Sequence, residues 1–191
     1  MENKYIKSLK LAVNNSRDLE LLQSDRDPDF TLATISKEVI LAILNDFVPH
    51  LYRLGLSSSS LLNGNCIQVH DQLQSFLLLR GISSYMTIGS MHGGDWSYCQ
   101  TSIEKLKNDL VRASRDEAIR VHTWLTLGDA SIIDWTGGAW HDVQSQLDQP
   151  AEKCLTYFPQ GAQDADYYHL PYLLGRDFLI KTNCICHVRR T

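Results

Sequence analysis

A thiol at Cys66, an imidazole at His122 and a carboxylate at Asp134 are the residues whose types could do chemistry together. Attack on a carbonyl needs a nucleophile, a base that takes its proton and a third group that fixes the base's tautomer and orientation. Cysteine, histidine and aspartate supply those roles. The three lie 56 and 12 positions apart, so only a folded chain can join them. Cys66 follows Asn63-Gly64-Asn65, a pattern that predicts a sharp turn delivering the cysteine to the start of a helix. There the helix dipole favours thiolate over thiol, and the thiolate is the nucleophile.

The elements around these residues are legible from spacing. Asn65 is the expected N-cap of the cysteine helix, with its side-chain oxygen accepting from the first turn. Leu73, Phe76, Leu77 and Leu79 recur at helical spacing, and Gly81 suits the C-terminal cap. Residues 121–127 alternate as a strand, with Val121, Thr123, Leu125 and Leu127 on one face and His122, Trp124 and Thr126 on the other. Gly128-Asp129 predicts a hairpin turn, and residues 131–136 return as its partner strand, ended by Gly137-Gly138. With the register left open, antiparallel pairing can set His122 and Asp134 on one face.

Elsewhere, residues 35–54 predict a helix capped by Ser36, with Val39, Ile40, Ile43, Leu44, Phe47, Val48 and Leu51 on one face and a kink or end near Pro49. Residues 82–89 read as a strand and Met91-His92-Gly93-Gly94-Asp95-Trp96 as a loop. Thr101-Ser102-Ile103-Glu104 predicts a helix start, with Ile103, Leu106, Leu110 and Val111 on one face. A short helix is expected around Leu11, Leu19, Leu21 and Leu22, then a turn at Asp25-Arg26-Asp27-Pro28-Asp29. Residues 141–171 are turn-rich, and residues 178–188 read as a last strand.

At 191 residues and 43% hydrophobic content the chain is long enough for one well-buried core and short for two. The expectation is a single domain over residues 1–191, with residues 1–33 as an N-terminal extension. A net charge of -4 leaves no electrostatic footprint for nucleic acid. No apolar run approaches the roughly 20 residues of a membrane span. Met1-Glu2-Asn3-Lys4-Tyr5-Ile6-Lys7 lacks the apolar core of a secretory signal, so a cytoplasmic location is expected. Secretion as an effector by a signal-independent route would leave no mark. Five cysteines at irregular spacing argue against a disulfide framework. Cys184-Ile185-Cys186-His187 has one residue between its cysteines, not the two to four usual for zinc. In a strand those two cysteines would share one face. No metal and no cofactor is expected.

Taken together, Gly64-Asn65-Cys66 leading to Leu77-Leu78-Leu79-Arg80-Gly81-Ile82, then Val121-His122-Thr123-Trp124-Leu125, then Ile133-Asp134-Trp135-Thr136, resembles the transglutaminase-like cysteine enzymes. These are a branch of the papain-like architecture. The resemblance spans residues 60–137. It implies an α+β fold in which a nucleophile-bearing helix packs on an antiparallel sheet. It also implies a catalytic triad of Cys66 as nucleophile, His122 as base and Asp134 as orienter. Thr123 stands where alanine is commoner, and Val69-His70-Asp71 is bulkier than usual. All four tryptophans follow Cys66, so the upstream tryptophan of protein-crosslinking members has no counterpart.

The function expected is a thiol-dependent acyl-transfer or hydrolytic enzyme acting on amide bonds: a cysteine peptidase, an amidase or a protein-glutamine deamidase. A peptide or protein side-chain amide is the expected substrate, with water as the acceptor, because the crosslinking members are large and multidomain. An amine acyltransferase and a non-catalytic protein-binding module that keeps the fold are the alternatives. His70 shares the helix face of Cys66 and competes as a base or as half of a metal pair. No orienter for it is visible, so it reads as a polar helix-surface residue. His92 and His141 read as loop histidines beside the groove, and His169 carries no functional signal.

Overall fold

The computed structural model describes residues 3–23, 28–112, 119–163 and 167–185. In chain order the helices are α1 (Lys4–Asp18), α2 (Lys37–Asn45), α3 (Val48–Arg53), α4 (Ser59–Leu62), α5 (Cys66–Leu78), α6 (Ile103–Arg112), α7 (Gly137–Gln144) and α8 (Asp177–Lys181). The strands are β1 (Ser84–Gly93), β2 (Trp96–Tyr98), β3 (His122–Leu127), β4 (Ile132–Asp134), β5 (Thr156–Phe158) and β6 (Tyr167–Leu174). The fold is α+β, with antiparallel strand pairs. The chain divides into two compact units. One holds Met1–Pro28, Thr87–His122 and Ala165–Thr191; the other holds Asp29–Met86 and Thr123–Asp164.

In the first unit β1 runs between β2 and β6. Its pairing with β6 sets Met91 opposite His169 and His92 opposite Tyr168. Helix α1 covers β6 through Tyr5, Leu9, Ala12 and Val13, which recur at helical spacing and are buried. Asn15 Nδ2 donates to the Tyr172 carbonyl at 3.1 Å, and the Leu174 amide donates to Ser16 Oγ at 2.7 Å. Leu11, which helped locate this helix in the sequence, faces outward. The expected loop from Met91 is instead a hairpin, because Met91, His92 and Gly93 pair with Tyr98, Ser97 and Trp96. Helix α6 starts where expected, with Ser102 Oγ accepting from the Lys105 amide at 3.2 Å. Only Leu106 of its expected apolar face is buried, and Val111 is exposed.

Among the described residues of the expected last strand, α8 occupies Asp177–Lys181. The Ile180 and Thr182 amides donate to the Arg176 and Phe178 carbonyls at 3.0 Å, the four-residue step of a helix. Thr182 Oγ1 donates back to the Phe178 carbonyl at 2.7 Å, as a helical turn permits. Cys186 and His187 of the Cys-x-Cys-His stretch lie outside the described residues, as does most of the turn expected at residues 25–29.

In the second unit β4 runs between β3 and β5. The hairpin from β3 to β4 turns at Gly128-Asp129 as its sequence predicts. The Leu127 amide donates to the Ser131 carbonyl at 2.8 Å, and Asp129 Oδ1 accepts from the Ser131 amide at 2.9 Å. Every residue of β3 is buried, so both faces are covered. The predicted helix over residues 35–54 is split. Pro49 has no amide to continue α2 and sits instead in the first turn of α3, where none is needed. Ser36 caps α2, its Oγ accepting from the Val39 amide at 3.4 Å. Val39 is itself exposed and not part of the core. Phe47, between the two helices, is fully buried, with its ring 5.1 Å from Phe76 and 5.6 Å from Trp135. Leu51, Leu62, Leu73 and Leu77 complete this core.

β4 ends at Asp134, short of the expected 131–136, and Gly137-Gly138 instead opens α7. An added Cβ at Gly138 would lie 2.7 Å from the Cys154 carbonyl oxygen. The obstacle is backbone, so the helix must shift. Gly138→Ala is therefore expected to destabilise the chain by about 1–3 kcal/mol of overpacking, above the roughly 1 kcal/mol that alanine gains in a helix. Denaturant midpoints of the two proteins check this, and equal midpoints would contradict it.

Candidate functional site

Cys66 is the first residue of α5 and is 5% exposed. The chain reaches it through Gly64, whose φ of +80° a residue with a Cβ resists. Asn65 holds the N-cap position, and its carbonyl accepts from the Val69 amide at 2.9 Å. The expected side-chain cap does not form. Asn65 Nδ2 turns back and donates to the Leu61 carbonyl at 2.8 Å. The helix start that carries Cys66 thus has no side-chain cap.

Asp134 is the last residue of β4 and is fully buried. Its Oδ1 accepts from the Thr136 amide at 2.9 Å, from Thr136 Oγ1 at 3.2 Å and from the Gly137 amide at 2.9 Å. The Asp-x-Thr spacing thereby has a local physical cause. The carboxylate closes its own turn and sits over the first amides of α7, where negative charge is favoured.

Cys66 and Asp134 belong to the same unit, and His70 lies between their backbones. His70 is fully buried, so the expected helix-surface position is wrong. Its Nδ1 is 2.8 Å from the Cys66 carbonyl oxygen, and its Nε2 accepts from the Trp135 amide at 3.1 Å. A carbonyl can only accept and an amide N–H can only donate. Nδ1 therefore carries the proton and Nε2 does not, which makes His70 a neutral imidazole. Nε2 also lies 3.6 Å from Asp134 Oδ1. With its lone pair turned to the Trp135 amide, that approach is not an ion pair. These two bonds engage both ring nitrogens of His70. Its partner is the backbone 65 residues on, which no local pattern reveals.

His122 opens β3 at the end of a first-unit segment, fully buried. Its ring centroid is 5.0 Å from that of Tyr98 and 6.0 Å from that of His169, the latter stacked. His169, which carried no signal in the sequence, is buried on β6 and meets Tyr167 edge-on at 5.8 Å. The ligand nitrogens of His122 and His169 lie within 4.8 Å of each other, two ligands where zinc sites use three or four. His92 lies in β1, not in a loop, and stacks on Tyr168 at 5.1 Å. Burial pushes its imidazole pKa down, towards the neutral form. His141 lies on α7.

None of the described cysteines, Cys66, Cys99, Cys154 and Cys184, forms a disulfide. Cys154 is buried, with Sγ 3.8 Å from Asp142 Oδ2 and 3.6 Å from the Pro150 carbonyl. Burial and the Asp142 charge push its thiol up to about 12. A raised pKa leaves the unreactive protonated form dominant at neutral pH. Cys154 is expected to stay unmodified by iodoacetamide at pH 7 in the folded protein and to react once the chain is unfolded in urea. Peptide mass spectrometry checks this, and rapid labelling of folded Cys154 would contradict it.

No helix among the described residues is long and apolar enough to cross a membrane. No family model matches the chain, and no curated protein or solved structure matches it.

Proposed function

We propose that the chain is a thiol-dependent enzyme on amide bonds, with a papain-like, transglutaminase-like core and Cys66, His122 and Asp134 as its triad. The reading rests on the order and local context of the three residues. The observation that carries it is the pairing of β3 with β4. Leu125 opposes Ile133 and Thr126 opposes Ile132, and extending that register by one residue would bring Trp124 opposite Asp134. His122 is two residues before Trp124 on the same strand and so shares its face. Cys66 contributes a thiol at an uncapped helix start, where a thiolate is favoured.

In the proposed reaction His122 takes the Cys66 proton and the sulfur attacks the amide carbonyl carbon. The C–N bond then breaks, the imidazolium gives its proton to the departing amine, and a thioester remains. Water, deprotonated by His122, cleaves the thioester and restores the thiol. The Cys66 backbone amide, with one side-chain donor, is proposed to hold the oxyanion. A peptide or protein side-chain amide is the substrate class proposed, as in peptidases, amidases and glutamine deamidases.

p-Nitrophenyl acetate tests this without knowledge of the natural substrate. A burst of one p-nitrophenolate per chain is expected, with the acetyl group on Cys66 in peptide mass spectra. Slow release by water supports hydrolysis; rapid transfer to added amines supports an acyltransferase. Acylation of Cys66 no faster than that of N-acetylcysteine would overturn the enzyme reading and leave the protein-binding module.

A further inference from the structure

We infer that His70 is a positioning residue for the Cys66 nucleophile: one buried neutral imidazole ties the peptide of Cys66 to the peptide that follows Asp134. This deepens the thiol-enzyme reading and rests on it. The chain of bonds runs from the Cys66 carbonyl to His70 Nδ1–H, and from His70 Nε2 to the Trp135 N–H. Both bonds are buried, and Trp135 is itself fixed by an Nε1–H bond of 2.6 Å to the Ala151 carbonyl and by the Phe47 ring. One end of the tie is therefore anchored in the core. The other end holds the only turn of α5 from which the Cys66 sulfur projects.

A helix start with no side-chain cap is free to fray. The second bond on the Cys66 carbonyl opposes that fraying at the residue where a displacement of about 1 Å costs on the order of a hundredfold in rate. A surface histidine could not do this. Neither could leucine, which fills the volume but offers no donor to Cys66 and no acceptor to Trp135.

The test compares the wild type with His70→Asn, which keeps a donor at the Nδ1 position, His70→Gln, which keeps an acceptor at the Nε2 position, and His70→Leu. The readout is iodoacetamide alkylation of Cys66 from pH 5 to 10, resolved by peptide mass spectrometry, beside thermal midpoints. Alkylation at pH 7 is expected to fall about tenfold to a hundredfold in His70→Leu, with the pH midpoint moved up towards an ordinary thiol. Asn and Gln are expected to fall between. A lower thermal midpoint with the wild-type rate and pH profile would reduce His70 to a structural residue and overturn the inference. Nitrogen-15 spectra of the wild-type imidazoles give a readout free of any variant's folding. His70 is expected as the Nδ1–H tautomer from pH 6 to 8, and an Nε2–H or charged ring overturns the tie. If wild-type Cys66 is no more reactive than N-acetylcysteine, the thiol-enzyme reading fails, and the spectra then report on the tie separately.

Discussion

Replacing Cys66 with alanine is expected to remove the acetyl burst and to slow turnover of any amide substrate by about four orders of magnitude or more. The substitution takes away one sulfur atom and little else. Alanine is the best helix former, so the first turn of α5 is kept. His70 reaches the Cys66 position through its backbone carbonyl, which alanine also supplies. The small cavity left by the sulfur is expected to cost about 1 kcal/mol, within the ordinary range of single substitutions. A folded, inactive Cys66→Ala protein is thus the expected outcome, measured by burst amplitude and thermal midpoint together. A Cys66→Ala protein that still forms one acyl adduct per chain would assign the nucleophile elsewhere.

The second large effect is expected at Asp134, where charge and hydrogen bonding can be separated. Asparagine retains an Oδ1 that accepts from the Thr136 and Gly137 amides, so the turn into α7 survives. It lacks the negative charge that orients and stabilises an imidazolium. Asp134→Asn is therefore expected to lower acylation of Cys66 by about three to four orders of magnitude with a thermal midpoint close to the wild type. Asp134→Ala loses the acceptor as well and leaves two buried amides unpaired. A further loss of stability of about 1–3 kcal/mol is expected there. If Asp134→Asn acylates at the wild-type rate, the carboxylate is only the cap of α7. The contrast between the two variants tells those roles apart.

What could be read from the chain alone follows the range of the interactions involved. The helix starting at Cys66 and the hairpin at Gly128-Asp129 are set by neighbours a few residues away, and both were legible. The Asp134 turn is equally local, since Thr136 and Gly137 supply its donors. The side chain of Asn65 misled because the Leu61 carbonyl, one turn back, competes for it with the helix it was expected to cap. Phe178 to Ile185 misled because a short apolar run fits either period. The four-residue backbone bonds from the Ile180 and Thr182 amides decide for helix. His70 and His169 were out of reach altogether. His70 takes its polar partner from Trp135, and His169 reaches its place through β6 pairing with a strand about 75 residues earlier. Long-range pairing of this kind leaves no periodic trace in the segments themselves.

The most direct test of the account is the rate at which iodoacetamide alkylates Cys66 in the folded wild-type protein at pH 7, set against N-acetylcysteine under the same conditions. A primed thiolate predicts a rate at least about tenfold above the free thiol, persisting below pH 7 where the free thiol falls silent. A rate equal to or below that of N-acetylcysteine, with the same rise towards alkaline pH, would contradict it.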